Sequence, residues 1–303
     1  MKIIQEGKIT WIDIENPKPE DINYLRSNFS FHQIVLDELI PSSARSKIEH
    51  YDSYMFAVIH LPIFSEKKQA IRAVELDVLL TKTHVITVHQ ETIHPLNDFI
   101  SHCEGSTREK IRCFGGTGIL FYWMLEAMFK YYLKELHIIA GKIDGLENKI
   151  FASVAKSMLE EISFAKREIL DFRRVIKPQH SILISLVGKG SRFFGEELRI
   201  YFDDLVGDFT RVWDILENYK ETIDALEESH SSLLSFQLNK TMQVLTIFTA
   251  LFIPISVIAG IFSMSMVSSI PFFNSPKVFL SVIVVMIASS IGLFAIFKKR
   301  GWI

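Results

Sequence analysis

Two uncharged apolar runs near the C-terminus constrain this chain more than any other feature. Residues 242–266 hold no charged side chain, and residues 278–297 form a second such run. Each is long enough to cross a hydrocarbon core of about 30 Å as a helix. A backbone in hydrocarbon must satisfy its own polar groups, so the expected form of both runs is helical. A buried hairpin inside a soluble core would share this composition, and the structure has to separate the two. The segment between them, 267–277, is short and carries Pro271, Asn274 and Pro276, as a tight external loop would. Lys298, Lys299 and Arg300 follow the second run, whereas the loop offers only Lys277 at its edge. By the positive-inside bias, both termini are expected in the cytoplasm of a cell whose inner (plasma) membrane the chain spans twice.

Composition agrees. The chain has 303 residues, 49% of them hydrophobic, and a mean hydropathy of +0.23. That exceeds what a soluble fold of this length needs, and most of the surplus lies after about residue 242. A net charge of −2 gives no basic excess, so nucleic acid is not the expected partner. Two cysteines, Cys103 and Cys113, are too few for a disulfide framework. The opening MKIIQEGKITWIDIENP reaches Asp13 and Glu15 without a secretory apolar core, so the N-terminal part is expected to stay in the cytoplasm.

The first hundred residues read as mixed α and β. Residues 8–14 alternate as a strand does, and Asn16-Pro-Lys-Pro-Glu-Asp21 reads as a turn entering a helix. Residues 54–62 and 76–90 are rich in β-branched side chains, the latter with a Thr-Lys-Thr-His centre suited to a hairpin. From about Gly118 the pattern predicts three long helices, interrupted at Pro178 and at Gly188 and Gly190. The third carries Phe202, Leu205, Phe209, Val212, Leu216, Tyr219, Ile223, Leu226, His230 and Leu233 at alternating spacings of three and four. Such a seam serves either oligomer contact or packing within the chain. A helix unbroken from 196 to 266 would extend on the order of 100 Å, too long for a compact monomer.

Two spans cannot enclose a water path alone, so oligomerisation is expected. The first span has the better pore face: Asn239, Met242, Leu245 or Thr246, Thr249, Ile253, Ser256, Gly260 and Ser263 recur at helical spacing and mix polar with apolar groups. Thr and Ser hydroxyls that merely bond back to their own helix would give the same stripe. The second span is mostly apolar and suits an outer, lipid-facing ring.

At these residues the chain resembles the CorA family of divalent-cation channels. The likeness is close in Asn-Lys-Thr-Met-Gln-Val-Leu-Thr-Ile-Phe at 239–248, at Pro254, in Ile-Ala-Gly-Ile-Phe at 258–262 and in Phe-Lys-Lys-Arg-Gly-Trp at 297–302; it is weaker at 144–147 and 201–204. The resemblance implies a homopentamer with an α+β cytoplasmic funnel domain, a long stalk helix and two transmembrane helices. It places the funnel at 1–195, the stalk at 196–241, the pore helix at 242–266, the loop at 267–277, the outer helix at 278–297 and a basic tail at 298–303. It further implies transport of divalent cations, Mg²⁺ by default, with no cofactor and with Mg²⁺ also a regulatory ligand. Asp204 falls where the family binds such a cation between subunits, with Asp203 and Asp208 nearby.

The chain departs from the family at the pore mouth, where Ser263-Met264-Ser265 replaces Gly-Met-Asn and VSSIPFFNSPK lacks an acid. Serine hydroxyls are shorter than the asparagine carboxamide and also donate. A relative carrying Zn²⁺, Co²⁺, Ni²⁺ or a monovalent ion, or a non-conducting sensor or scaffold, would fit this change. His84, His89, His94, His102 and Cys103 have the wrong spacing for one soft-metal site, because five residues along a strand reverse the face. No phosphate loop, nucleophile elbow or metalloprotease motif appears, so catalysis is not expected.

Overall fold

The computed structural model describes residues 1–41, 43, 45–65, 70–150, 156–263 and 276–302. They resolve into two compact units, Met1–Glu227 and Glu228–Ile303.

The first unit is built on a six-stranded sheet: β1 (Lys2–Glu6), β2 (Ile9–Glu15), β3 (Lys47–His50), β4 (Met55–Ser65), β5 (Ala70–Leu80) and β6 (His84–His89), in the order β1-β2-β6-β5-β4-β3. Only β2 and β6 run parallel. The β5–β6 hairpin turns at Thr81 to His84, where the Thr81 hydroxyl oxygen accepts from the His84 and Thr83 amides. Pro62 lies within β4 beyond the last residue paired to β3, so its missing N–H faces an open edge.

Helices cover both faces. On one, α1 (Pro19–Asn28) and α2 (Gln33–Glu38) bury Ile22, Leu25, Val35 and Leu36 against Ile12, Phe56, Val58 and Leu79. Pro19 sits in the first turn of α1, and the Asp21 carboxylate accepts from the Lys18 amide at 2.9 Å, closing the helix start. Two short helices, α3 (His94–Gly105) and α4 (Thr107–Cys113), then lead into α5 (Thr117–Ile150) and α6 (Lys156–Ile176), and α6 packs on β4 and β5. Cys103 and Cys113 are buried free thiols.

After α6 the chain makes α7 (Gln179–Ser185), one π-helical turn over Leu186–Gly190, and α8 (Ser191–Phe194). Gly195, at φ +131°, then takes a backbone conformation that side chains rarely adopt, and the chain turns into α9 (Arg199–Ser263). Three long helices thus appear as expected, α9 unbroken through Pro254. The strands β1 and β3 and the helices α2 to α4 were not foreseen; most are too short for their pattern to repeat more than once or twice.

The α9 seam is used within the chain. Phe202, Leu205, Phe209, Val212, Leu216, Ile223 and Leu226 are buried in the first unit without any second copy, which decides for intrachain packing over oligomer contact in that stretch. His230 is buried too, and neither ring nitrogen has a hydrogen-bond partner among the described residues. In the second unit, α9 is joined by α10 (Pro276–Lys299). Met264 to Ser275, holding most of the expected external loop, lie outside the described residues.

Candidate functional site

The apolar windows of α9 and α10 have mean hydropathies of 2.4 and 2.6, yet only 6% of the first and none of the second is buried in the chain. A hairpin in a soluble core would be mostly buried, so composition and exposure together favour two membrane-spanning helices.

Exposure divides α9 into two faces. Gln243, Ile247, Ala250, Leu251, Pro254, Ile255 and Ile258 are wholly or half buried, and hydrogen bonds from this side to Ser290 and Trp302 identify it as the face toward α10. Asn239, Met242, Leu245, Thr249, Ile253, Ser256, Gly260 and Ser263 are all exposed. On a helix of about 3.6 residues per turn, most of these lie roughly 150° from the α10 face; Asn239 sits closer, at about 80°. The remaining exposed flank carries Phe248 and Phe262, which suit lipid, with Phe252 at its border with the hydroxyl face. Hydroxyls thus gather on one unpartnered face and large aromatics on another.

The Thr246 and Thr249 hydroxyls donate to the Met242 and Leu245 carbonyls, each at 2.8 Å. Back-bonding therefore occurs, and it does not compete with pore lining. It uses the hydroxyl proton on the helix and leaves oxygen lone pairs outward as acceptors, the polarity a cation or its water shell requires.

Two devices hold the helix pair. Pro254 deprives the Ala250 carbonyl of its helical donor, and one residue on, the Ser290 hydroxyl of α10 lies 3.4 Å from the Leu251 carbonyl and 3.1 Å from its own Met286 carbonyl. At the other end α10 closes in a Schellman motif: Trp302 N–H donates to Phe297 O at 3.0 Å, Gly301 N–H to Lys298 O at 3.2 Å, and Gly301 has φ +70°. The Trp302 ring stacks on Phe297 with centroids 5.6 Å apart, and the Gln243 amide donates to Trp302 O at 3.0 Å. Asn239, Met242, Gln243, Thr246 and Trp302 line a shallow recess of about 340 Å³. The bond between Gln243 and Trp302 joins positions 59 apart, and no local pattern signals it.

In the first unit, Asp204 on α9 accepts from the Tyr122 hydroxyl of α5 at 2.8 Å. Burial, and then the neighbouring carboxylates Asp204 and Glu126, hold the Asp208 carboxyl above its ordinary value. Burial and the bond to Asp204 likewise raise the Tyr122 phenol. Asp203 does not join this group: one residue round the helix from Asp204, it lies 3.9 Å from the Arg199 guanidinium. Within one chain, Asp204 and Asp208 are thus grouped with Glu126, supplied by α5, while Asp203 stands beside Arg199. Their hard carboxylate oxygens suit Mg²⁺ in kind. No three acidic, histidine or cysteine side chains among the described residues stand in metal-holding geometry within one chain, so water or a second copy would have to complete such a site. His89 is occupied by Asp13 and the Glu91 carbonyl, and His84 by Thr83, leaving no soft-metal cluster among the described residues.

A family model described as CorA-like Mg²⁺ transporter protein matches residues 6–299. The chain belongs to this family. Among relatives of the CorA-like chain, the cobalt/magnesium transport protein CorA of Methanocaldococcus jannaschii is 25% identical over 99% of this chain and 93% of its own length. The cobalt/magnesium transport protein CorA of Thermotoga maritima is 24% identical over 97% of this chain and 83% of its own. The solved structure of the complete CorA magnesium transporter from Methanocaldococcus jannaschii superposes with a TM-score of 0.84 at 22% identity, covering 99% of this chain and 93% of that one. The CorA-like fold is thus common to both: a mixed sheet with helices, a long helix and two apolar C-terminal helices. In this CorA-like chain, Ser263 is the last described residue of α9, while Met264 and Ser265 of the expected mouth lie outside the described residues.

Proposed function

We propose that five copies of this chain form a channel for hydrated divalent cations, Mg²⁺ first among them, in the inner (plasma) membrane with both termini cytoplasmic. The carrying observation is the division of α9, whose hydroxyl-bearing face is left open while the opposite face packs on α10. No Asp or Glu occurs from 229 to 303, so the conduction path offers amide and hydroxyl oxygens rather than charge. Mg²⁺ gives up its water reluctantly. Neutral acceptors that touch its water shell allow entry without a binding step too tight to leave. Asn239 receives the ion, Met242 and Leu245 form an apolar constriction able to close by dewetting, and Thr249, Ser256 and Ser263 line the outer part. Asp204, Asp208 and Glu126 form the chain's half of an inhibitory cation site between subunits. The names of the relatives, which pair cobalt with magnesium, and the serines at 263 and 265 favour weak discrimination among divalent ions.

The test is flux of Mg²⁺, Co²⁺, Zn²⁺ and K⁺ into liposomes holding the purified chain. Divalent uptake exceeding K⁺ uptake is expected. Flux of none would make the chain a sensor or scaffold, and flux of K⁺ alone would reassign its ion.

A further inference from the structure

The side chains of the second unit carry a net positive charge. From 229 to 303 the chain has Lys240, Lys277, Lys298, Lys299 and Arg300 and no acidic residue. Among the described residues, the side chains of Lys240, Lys298, Lys299 and Arg300 make no ion pair or hydrogen bond, in contrast to the many paired cations of the first unit. Further copies of the second unit bring the same cations and no acidic side chain.

These cations are held in place. Lys298 and Lys299 form the last turn of α10, and the Schellman closure fixes the backbone through Arg300 to Trp302. The Gln243 bond then ties Trp302 O to α9 beside the polar Thr246, on the margin of the 340 Å³ recess. Three charges thus stand where the apolar span ends, next to an indole that is 44% exposed and stacked on Phe297. An indole is at home where hydrocarbon meets headgroup, and long basic side chains reach outward there. Below them Ile291, Phe294 and Ile296 are exposed and apolar, as acyl chains require.

From this arrangement we infer that Lys298, Lys299 and Arg300, with Gln243 and Trp302, form a binding site for the phosphate headgroup of an anionic phospholipid. The phosphate neutralises the basic turn, and the acyl chains lie along the exposed apolar side of α10. Free inorganic phosphate shares the charge but lacks the chains, so it gains only the electrostatic part. Zwitterionic lipid shares the chains but brings its own cation. Bound lipid would clamp the C-terminal turn to the start of the first span.

The experiment uses the full chain in a neutral detergent, titrated with short-chain phosphatidylglycerol, short-chain phosphatidylcholine or inorganic phosphate, with the thermal unfolding midpoint as readout. A ligand that binds only the folded chain raises that midpoint. Phosphatidylglycerol is expected to raise it saturably, and the other two to have little effect. Lys299→Gln with Arg300→Gln keeps Lys298 as a topology signal and should weaken phosphatidylglycerol binding on the order of twentyfold, at about fivefold per charge. Lys277→Gln, the same change at the opposite end of α10, should leave it unaltered. Equal binding by the double variant and the parent overturns the site, as does equal stabilisation by phosphatidylcholine or by phosphate alone. A double variant that loses its oligomer but keeps its lipid affinity would assign these cations to carboxylates of a neighbouring copy instead. Should the double variant not fold, the parent still decides: phosphatidylglycerol affinity must fall steeply as NaCl is raised, and a salt-independent affinity refutes the inference.

Discussion

The Gln243 side-chain amide reaches across 3.0 Å to the main-chain oxygen of Trp302, so the second helix ends bonded to the first helix where that one enters its apolar run. The oxygen belongs to a residue past the helix cap and has no helical donor. Gln243→Met keeps the length and removes the donor, at a cost of about 1 kcal/mol. Trypsin cleavage after Lys298, Lys299 and Arg300 should then proceed roughly fivefold faster in detergent. Equal cleavage of parent and variant would show that the Schellman closure alone holds the tail.

Met242 and Leu245 are 64% and 66% exposed among the described residues. If five copies turn these side chains toward one axis, they narrow and dry the path. Met242→Ala and Leu245→Ala should each raise resting Mg²⁺ leak in liposomes severalfold without altering thermal stability. Leak no greater than in the parent would place the gate elsewhere.

Burial, and then the crowding carboxylates of Asp204 and Glu126, hold the Asp208 carboxyl above its ordinary value. A divalent cation relieves that crowding, so millimolar Mg²⁺ should raise the unfolding midpoint and slow proteolysis of the first unit. Asp204→Asn with Asp208→Asn should abolish the response, whereas Asp203→Asn, which removes only an exposed partner of Arg199, should leave it intact. Protons compete with the cation, so the response should fade on acidification at a higher pH than an ordinary aspartate would give. An unchanged response in the double variant would exclude these residues.

The family resemblance places glycine at Ser263, the last described residue of α9, and asparagine at Ser265. Glycine eases an exit from helical geometry, and asparagine supplies a longer carboxamide acceptor. Ser263→Gly with Ser265→Asn should raise the Mg²⁺ to Co²⁺ flux ratio and leave oligomer size unchanged. A parent already as selective as the variant would move the filter to Asn239.

Asp77 on β5 is buried, one carboxyl oxygen lacks any partner among the described residues, and burial with the adjacent Glu75 pushes its pKa up to about 8. Because the folded-state value lies above the unfolded one, the folded chain holds this proton longer. The stability it contributes is complete below about pH 4 and is lost as pH rises toward about 8. Asp77→Asn keeps a donor for Glu75 and cannot ionise. It should therefore stabilise the chain at pH 8.5 by on the order of a few kcal/mol and have little effect near pH 4. A parent whose unfolding midpoint is flat from pH 5 to 8.5 would refute this.

Much of the architecture was legible in the chain because its signals are local and long. The two uncharged runs, the β5–β6 hairpin around Thr81 to His84, the proline start of α1 and the three-four seam of α9 each repeat over enough residues to outweigh noise. The stripe from Met242 to Ser263 was readable for the same reason: helical spacing alone puts its members on one face, with Asn239 turned nearer to α10.

What the sequence left open were relations between distant positions. The α9 seam could have joined copies or packed at home, and only the burial of Phe202 to Leu226 within one chain decides it. Asp203 and Asp204 are neighbours in sequence, yet the turn of the helix sends one to Arg199 and the other to Tyr122, while Glu126 arrives from another helix. The tie from Gln243 to Trp302 has the same character. Periodicity fixes which face of its own element a side chain occupies, and only the packing of one element on another determines what that face meets.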